Sequence, residues 1–332
     1  MALQLFPNTS KSVMLEDGTT YAYISIPASS PSRPTFLLLH GFPSSSFDWR
    51  RVIPLLADDG YGVIAPDLLG YGDTDKPTEV AAYSQKRIAD HVKELVLKEG
   101  IKQVIGVGHD WGSGLLSKVA LAHVSLFAGI VFTSVGYVPP GDFDVDQVNA
   151  RTEQALGYPT FGYWKFFNED EAGSVIDANQ DSFVSLVYPQ HAEDWKATMG
   201  PLGAAKAMVT SAKVTPLPSW LTEEDVQKHK QIFGKGGLTA PLNWYKSAIR
   251  QVDAPYYATF TTEESKCIDV PALVILGEHD YVCVPAFQTQ TADAYLRNHR
   301  VERLQCGHWI PLEQPAAFSA LLKEFAKSSL GA

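Results

Sequence analysis

Cysteine is scarce in this chain of 332 residues, which contains only Cys267, Cys283 and Cys306. An odd number of thiols cannot all pair within the chain, and no two of them are spaced as C-x-x-C. We therefore expect buried free thiols in a reducing compartment, and the cytoplasm is the expected location.

Basic residues are also in short supply. The chain has 27 Lys and Arg against 37 Asp and Glu, a net charge of −10. No basic stretch offsets this deficit, so the composition disfavours a nucleic acid or an anionic membrane as a partner. Apolar runs such as residues 126–132 are too short to cross a bilayer, and the N-terminus lacks a basic leader followed by a long apolar stretch. We expect neither a membrane span nor a signal peptide.

Familiar metal and cofactor motifs are missing as well. The sequence has no H-E-x-x-H zinc motif and no phosphate-binding P-loop. Its glycines at 106, 108 and 112 are not spaced as G-x-G-x-x-G, and no acid follows about twenty residues later to bind a ribose. We expect no metal and no organic cofactor.

Short apolar runs alternate with helical patterns in the first part of the chain. Residues 11–15 and 19–26 flank Asp17-Gly18 and predict a hairpin. Further strands are predicted at residues 35–39, 63–66, 103–107 and 129–133, and residues 84–99 carry an apolar face with helical spacing. This alternation predicts an α/β fold with a mostly parallel sheet.

The alternation stops near Tyr137 and returns only at residues 270–276 and 301–304. The roughly 120 residues between contain helical patterns rich in Trp, Tyr and Phe, without good strand runs. We predict a core domain of residues 1–136 and 263–332 with an all-helical cap of residues 137–262 inserted into it. Two independent domains are the alternative, but neither half of the sheet could then stand alone.

The five residues Gly108-His109-Asp110-Trp111-Gly112 end the predicted strand and precede a helical pattern over residues 115–122. A nucleophile flanked by small residues at a strand-to-helix turn is typical of a nucleophile elbow. Aspartate occupies the position at which an esterase has serine. A carboxylate is ionised at neutral pH, and its attack on a saturated carbon gives an ester that can then be hydrolysed. The motif therefore predicts Asp110 as a nucleophile toward sp3 carbon.

Hydrolysis of such an ester needs a base and a group that orients it. In α/β-hydrolases the acid and the histidine follow the nucleophile in that order. Asp280 and His308 each come just after a predicted strand, so both should lie at the same sheet edge as Asp110. Glu278 is the rival acid, whereas the loop 134–136 after the preceding strand contains none.

The sequence His40-Gly41-Phe42-Pro43 follows another predicted strand at this edge. This position supplies one amide of an oxyanion hole in such folds, and the residue after the nucleophile supplies the other. We therefore predict the backbone N–H groups of Phe42 and Trp111 as the two donors.

Six segments together resemble the soluble epoxide hydrolases of the α/β-hydrolase fold: HGFPSSSFDWR, GHDWG, FGYWKFF, PLNWYKS, GEHDYVCVP and CGHWIPLEQP. The resemblance covers almost the whole chain. It implies the α/β-hydrolase fold, with a mostly parallel central sheet and an inserted helical cap. GHDWG alone is less specific, because haloalkane dehalogenases have a similar motif.

The resemblance also implies that two cap tyrosines, Tyr163 and Tyr245, bind the epoxide oxygen and protonate it as the ring opens. A ring alkoxide is far more basic than a halide, so its departure needs a proton donor. Tyr163, Tyr245, Phe42 and Trp111 are the expected substrate-binding residues, and the expected partners are a small apolar epoxide and water. Two alternatives remain open: a haloalkane dehalogenase using the same aspartate, and a non-catalytic receptor on the same fold.

Overall fold

The computed structural model describes residues 2–330, in which one sheet contains eight strands. Their order across the sheet is β1-β2-β4-β3-β5-β6-β7-β8; the pairs β1–β2 and β2–β4 are antiparallel and all others are parallel. The strands are β1 (Ser10–Met14), β2 (Thr20–Ile26), β3 (Thr35–Leu39), β4 (Gly62–Pro66), β5 (Val104–His109), β6 (Phe127–Thr133), β7 (Ala272–Gly277) and β8 (His299–Leu304). Every predicted strand is present, within a few residues of its predicted ends.

The central strands are apolar on both faces because helices cover both sides of the sheet. All residues of β3, β4, β5 and β7 are buried, whereas β8 at the edge is only partly buried. The helices outside the long insertion are α1 (Ala2–Leu5), α2 (Ile53–Ala57), α3 (Gln85–Lys98), α4 (Trp111–Ala122), α14 (Pro285–Tyr295), α15 (Ile310–Glu313) and α16 (Pro315–Leu330). Parallel strands therefore end at one shared edge, where the loops after β3, β5, β7 and β8 meet.

Helix α4 begins at Trp111, four residues before the predicted start at residue 115. The sequence did not predict this first turn, because Gly112, Ser113 and Gly114 have weak intrinsic helix preference. The tight turn after β5 overrides that preference, since small residues are needed there for close packing.

The segment between β6 and β7 is helical throughout its regular structure, as predicted, and we call these helices the cap. They are α5 (Val145–Leu156), α6 (Tyr163–Phe167), α7 (Ala172–Asp177), α8 (Gln180–Val187), α9 (Trp195–Thr198), α10 (Ala204–Thr210), α11 (Glu223–Phe233), α12 (Thr239–Ile249) and α13 (Ala254–Tyr257). The exact ends of the cap domain remain a prediction.

Helix α12 is fixed to the sheet side by three hydrogen bonds, two of them buried and one partly buried. The Trp244 indole donates to the carbonyl of Leu69 at 2.9 Å, and the Ser247 hydroxyl donates to the carbonyl of Tyr83 at 2.9 Å. The Asn243 amide donates to the carbonyl of residue 78 at 3.1 Å. Because buried polar groups are costly to leave unpaired, these contacts determine how the cap sits over the sheet edge.

The three cysteines are free thiols, and Cys283 and Cys306 are buried as expected, but Cys267 is only partly buried. Cys267 follows a short 3-10 turn near the surface, where its thiol donates to a backbone carbonyl at 3.4 Å. The expectation that all three thiols are buried is therefore wrong at this position. No helix of residues 2–330 is long and apolar enough to span a membrane.

Candidate active site

Asp110 occupies the turn between β5 and α4 with a left-handed backbone conformation (φ 53°) that non-glycine residues rarely adopt. The neighbouring glycines make this turn possible. A Cβ on Gly108 would lie 2.5 Å from the carbonyl oxygen of Gly112, and a Cβ on Gly112 would collide with the backbone of β3. The predicted strand–elbow–helix arrangement is thus present, and it directs the Asp110 carboxylate toward the cap.

Two groups contact the carboxylate of Asp110. The Phe42 N–H donates to Oδ1 at 2.8 Å, and His308 Nε2 lies 3.6 Å from Oδ2. Burial alone would raise the pKa of this carboxyl, but the hydrogen bond and positive charge of His308 outweigh it, and the pKa is lowered. Asp110 is therefore a buried, ionised carboxylate.

The Phe42 amide is held in place by His40. His40 Nε2 accepts a hydrogen bond from the N–H of Leu68 at 2.9 Å, so Nδ1 carries the proton and donates to the carbonyl of Gly41 at 2.9 Å. Burial lowers the pKa of His40 to about 4 and keeps this tautomer neutral. The Trp111 N–H is at the first turn of α4, where amides lack partners within the helix. The Phe42 N–H thus contacts the carboxylate, and the Trp111 N–H belongs to the next residue along the chain; their role as oxyanion donors remains a prediction.

Asp280 and His308 lie together at the ends of β7 and β8, as their sequence positions predict. His308 Nδ1 donates to Asp280 Oδ2 at 2.7 Å, while Asp280 Oδ1 accepts the N–H groups of Val282 and Cys283. Burial opposes protonation of His308, but Asp280 and Asp110 outweigh it and raise its pKa well above the usual value. The rival acid Glu278 instead lies near Arg303, at 3.5 Å.

Three further side chains hold the backbone on either side of His308, and the sequence reasoning did not identify them. His109 Nε2 and the Ser134 hydroxyl both donate to the carbonyl of His308, at 2.9 and 2.6 Å. The Glu313 carboxylate accepts the N–H groups of Gly307 at 2.8 Å and Trp309 at 2.9 Å. Only the closeness of His109 to the nucleophile and of Glu313 to His308 in the sequence could have indicated these roles.

Tyr163 begins α6 and Tyr245 lies in α12, and both face the space above Asp110. Their ring centroids are 5.9 Å apart, and the two rings line a small pocket together with Phe42, Asp110 and His308. Burial raises the pKa of both phenols well above the usual value, so each hydroxyl keeps its proton. The structure therefore brings both predicted tyrosines to the nucleophile.

A cavity of about 390 Å³ leads from this pocket along α4 beneath the cap. Trp111, Gly114 and Lys118, at helical spacing, form one wall, and Tyr163 and Trp164 contribute to the opposite side. Seven of its 23 lining residues are aromatic, which suits an apolar ligand. Sequence reasoning identified neither Trp164 nor Lys118, because nothing in their local motifs indicates exposure to a cavity.

Among residues 2–330, one cluster has donor atoms close enough together for a metal ion. Asp280, Cys283 and His308 each offer a ligand atom within 4.8 Å of the others. Asp280 and His308 already share a hydrogen bond, and burial raises the pKa of the Cys283 thiol to about 12. The donors are thus arranged for proton transfer rather than as an open set of metal ligands.

The sequence profile of the Alpha/beta hydrolase family matches residues 36–321, and the chain belongs to this family. Several of its relatives are named epoxide hydrolases. Epoxide hydrolase 2 of Siraitia grosvenorii is 30% identical over 307 residues, covering 90% of this chain and 94% of the relative. The bifunctional epoxide hydrolase 2 of Sus scrofa is 28% identical over 90% of this chain, which spans only 52% of that longer protein.

A solved structure of similar shape is the epoxide hydrolase from an endophytic Streptomyces. It superimposes with a TM-score of 0.82 at 26% identity, covering 96% of this chain and 95% of the other. The likeness therefore extends over the sheet and the cap together.

Proposed function

We propose that the protein is an epoxide hydrolase that converts an apolar epoxide into a vicinal diol through an ester of Asp110. The observation that carries this proposal is a buried, ionised carboxylate at the elbow that shares one pocket with two protonated tyrosines. The names of the relatives support the same activity.

In the first step the hydroxyls of Tyr163 and Tyr245 hold the epoxide oxygen while Asp110 attacks a ring carbon. The new bond joins a carboxylate oxygen to that carbon, and the bond between the carbon and the ring oxygen breaks. The leaving alkoxide stays attached to the substrate and takes a proton from a tyrosine. Phe42 and Trp111 form the apolar wall beside the reacting carbon, as substrate-binding residues.

In the second step His308, oriented by Asp280, removes a proton from a water molecule that attacks the carbonyl carbon of the ester. Negative charge develops on the Asp110 carbonyl oxygen, where the N–H groups of Phe42 and Trp111 stabilise it. The bond between the carbonyl carbon and the diol oxygen then breaks, and that oxygen takes the proton of the hydroxyl group that water added, so the diol leaves and the Asp110 carboxylate re-forms. The tyrosinate regains its proton from His308. No metal or cofactor takes part in this cycle.

We further propose that residues 137–262 act as the cap domain over a core of residues 1–136 and 263–332. Both tyrosines come from the cap, whereas the nucleophile, acid, base and oxyanion donors come from the core. Closure of the two around the substrate excludes bulk water, which strengthens each charge interaction in the pocket.

Mass spectrometry of two variants tests the scheme. Asp110→Ala should lose all epoxide turnover, while His308→Gln should still form the ester and retain the mass of the substrate on the protein. His123→Gln, at the outer end of α4, is the matched control and should turn over normally. Equal residual activity in the first two variants, or no adduct on His308→Gln, would contradict the scheme.

The two tyrosines also separate this activity from the alternatives. A halide leaves without a proton, so a dehalogenase has no need of two phenol donors at the leaving group. Replacing both Tyr163 and Tyr245 by Phe should abolish epoxide opening. Halide release by the unaltered protein without diol formation would instead support the dehalogenase, and binding with no turnover would support a receptor.

A further inference from the structure

The free space beside Asp110 is very unequal on its two sides. The small pocket that Phe42, Tyr245 and His308 help to line has a volume of about 20 Å³. The cavity along α4, which we call the long cavity, has a volume of about 390 Å³. Within residues 2–330, Asp110 and Tyr163 are the residues that line both spaces. The two spaces therefore meet at the nucleophile, and each is available to one side of a bound epoxide.

The small pocket has room for about one water molecule, which needs a space of roughly 10–15 Å³. All the residues that line this pocket are buried, so it has no mouth of its own at the surface. The side chains of Phe167, Val187 and Met199 form its apolar wall on the cap side. An alkyl group of several carbons does not fit there unless this wall moves.

Three rings separate the small pocket from a surface groove of about 460 Å³. Trp195, His308 and Trp309 line both spaces, and the two indole rings lie 5.4 and 5.3 Å from the imidazole, measured between centroids. The Trp195 indole donates to the carbonyl of Leu186 at 2.8 Å. The Trp309 indole donates to the carbonyl of Val187 at 2.9 Å. Because moving either ring would break a buried hydrogen bond, the groove does not extend the small pocket.

The long cavity, in contrast, has room for a long substituent. It runs from Trp111 to Lys118, which are seven residues apart on α4 and therefore separated by about 10 Å. Its far end is bordered by the exposed residues Gly141, Asp142 and Gln251, where it opens to solvent. A substituent of the epoxide can thus extend from the nucleophile toward the surface in this direction.

The second step of the proposed reaction also requires the small pocket to remain free. His308 must remove a proton from a water molecule that attacks the ester of Asp110, and both residues line this pocket. Its volume matches the one water molecule that this step consumes. A substituent in the small pocket would displace that water and stop the reaction at the ester.

We propose that the site selects terminal epoxides, in which one ring carbon carries a single apolar arm and the other carries only hydrogen. The arm lies in the long cavity, and the small pocket holds the water of the second step. Met199 and Val187 are then specificity-determining residues, because their side chains limit the small pocket. This inference rests on the proposed epoxide hydrolase function and extends it to a substrate class.

Two isomeric epoxides test the proposal. 1,2-Epoxyoctane has one six-carbon arm, whereas trans-4,5-epoxyoctane has a three-carbon arm on each ring carbon. We expect kcat/KM of the unaltered protein to be at least about 100-fold higher for the terminal isomer, since one methylene too many in a fixed apolar pocket costs roughly 10- to 200-fold.

Enlarging the small pocket should weaken this preference. Met199→Ala removes three heavy atoms from the wall, as many as a propyl arm contains, and it keeps the backbone carbonyl that accepts the N–H of Tyr163 at 3.1 Å. The ratio of kcat/KM, terminal over internal, should fall at least about tenfold. Comparing this ratio between proteins cancels the different intrinsic reactivities of the two epoxides. Met208→Ala, the same change at a cap residue that lines neither space, should leave the ratio unchanged.

Val187→Ala enlarges the same pocket and replaces Met199→Ala if that variant does not fold. A smaller preference in the unaltered protein, or an unchanged ratio in the folded wall variant, overturns the proposal. If the unaltered protein opens neither epoxide, the proposed function fails separately. Calorimetric binding of octan-1-ol against octan-4-ol then decides the shape of the site: tighter binding of octan-1-ol that is lost in Met199→Ala supports a single arm. Equal affinities, or a preference that survives in Met199→Ala, would refute it.

Discussion

A single methyl group at Gly41 should disable the site while leaving the fold in place. A Cβ at this position would lie 2.7 Å from Cγ of Asp110 and closer still to Oδ1, whereas ordinary contact begins near 3.4 Å. The Asp110 carboxylate must therefore retreat by about 1 Å, because the packed turn leaves no other free movement. A displacement of that size costs roughly 100-fold in rate. It also breaks the hydrogen bond from Phe42.

We expect Gly41→Ala to lose about 100-fold or more in kcat/KM for any epoxide, with about 1–3 kcal/mol of stability lost to overpacking. Gly114→Ala is the matched control, since the nearest atom to its Cβ is Cε3 of Trp111 at 3.9 Å. Alanine in the first turn of α4 should stabilise the protein by up to about 1 kcal/mol. Steady-state kinetics and thermal unfolding of both variants measure these effects. Wild-type activity in a folded Gly41→Ala protein would refute the reasoning.

Three further predictions concern the groups around the site. Burial lowers the pKa of His40, His109 and His229 to about 4, so between pH 6.5 and 4 the unfolded chain binds more protons and the free energy of unfolding decreases as the pH is lowered. His229→Gln should reduce the loss of stability between pH 7 and pH 5 by about 2 kcal/mol in urea titrations. Glu313→Gln replaces one of the two carboxylate oxygens that accept the N–H groups on either side of His308, so the base of the second step is held less firmly. Quenched-flow mass spectrometry should then detect accumulating ester with little change in its rate of formation, and equal slowing of both steps would contradict this role. Asp253 accepts hydrogen bonds from the first turn of α3 and its cap residue, so Asp253→Ala should lower stability by about 1–2 kcal/mol in chemical unfolding, with turnover of a small epoxide largely retained.

The sequence predicted the parts of this protein that local patterns determine. The strands β3 and β5 are short apolar runs, and α3 carries a continuous apolar face between Ser84 and Glu99. The spacing of the apolar residues and the composition were therefore sufficient to predict these elements. The positions of Asp280 and His308 were predictable because parallel strands end at one edge of a sheet. Their 2.7 Å hydrogen bond follows directly from that topology.

The remaining features depend on contacts between distant segments. Ser134 contacts the carbonyl of His308 across 174 positions of the chain, and no local motif encodes such a pairing. Trp164 looked like one more aromatic residue of the cap, because its place in the cavity wall with Trp111 arises only when distant segments fold together. The first turn of α4 was not predicted either. Its small residues have weak local preference for a helix, but tertiary packing requires them there.

The ion pair between Asp110 and His308 sets the order of events in the proposed cycle. While Asp110 is charged, it helps keep His308 protonated, so the histidine cannot yet take a proton from water. Ester formation neutralises Asp110 and removes one of the two charges that raise the pKa of His308. The tyrosinate left by ring opening can then take the proton of His308, which frees the histidine to act as a base. Water is thus activated only after the substrate has been captured, and the carboxylate that returns with the diol recharges the histidine for the next turnover.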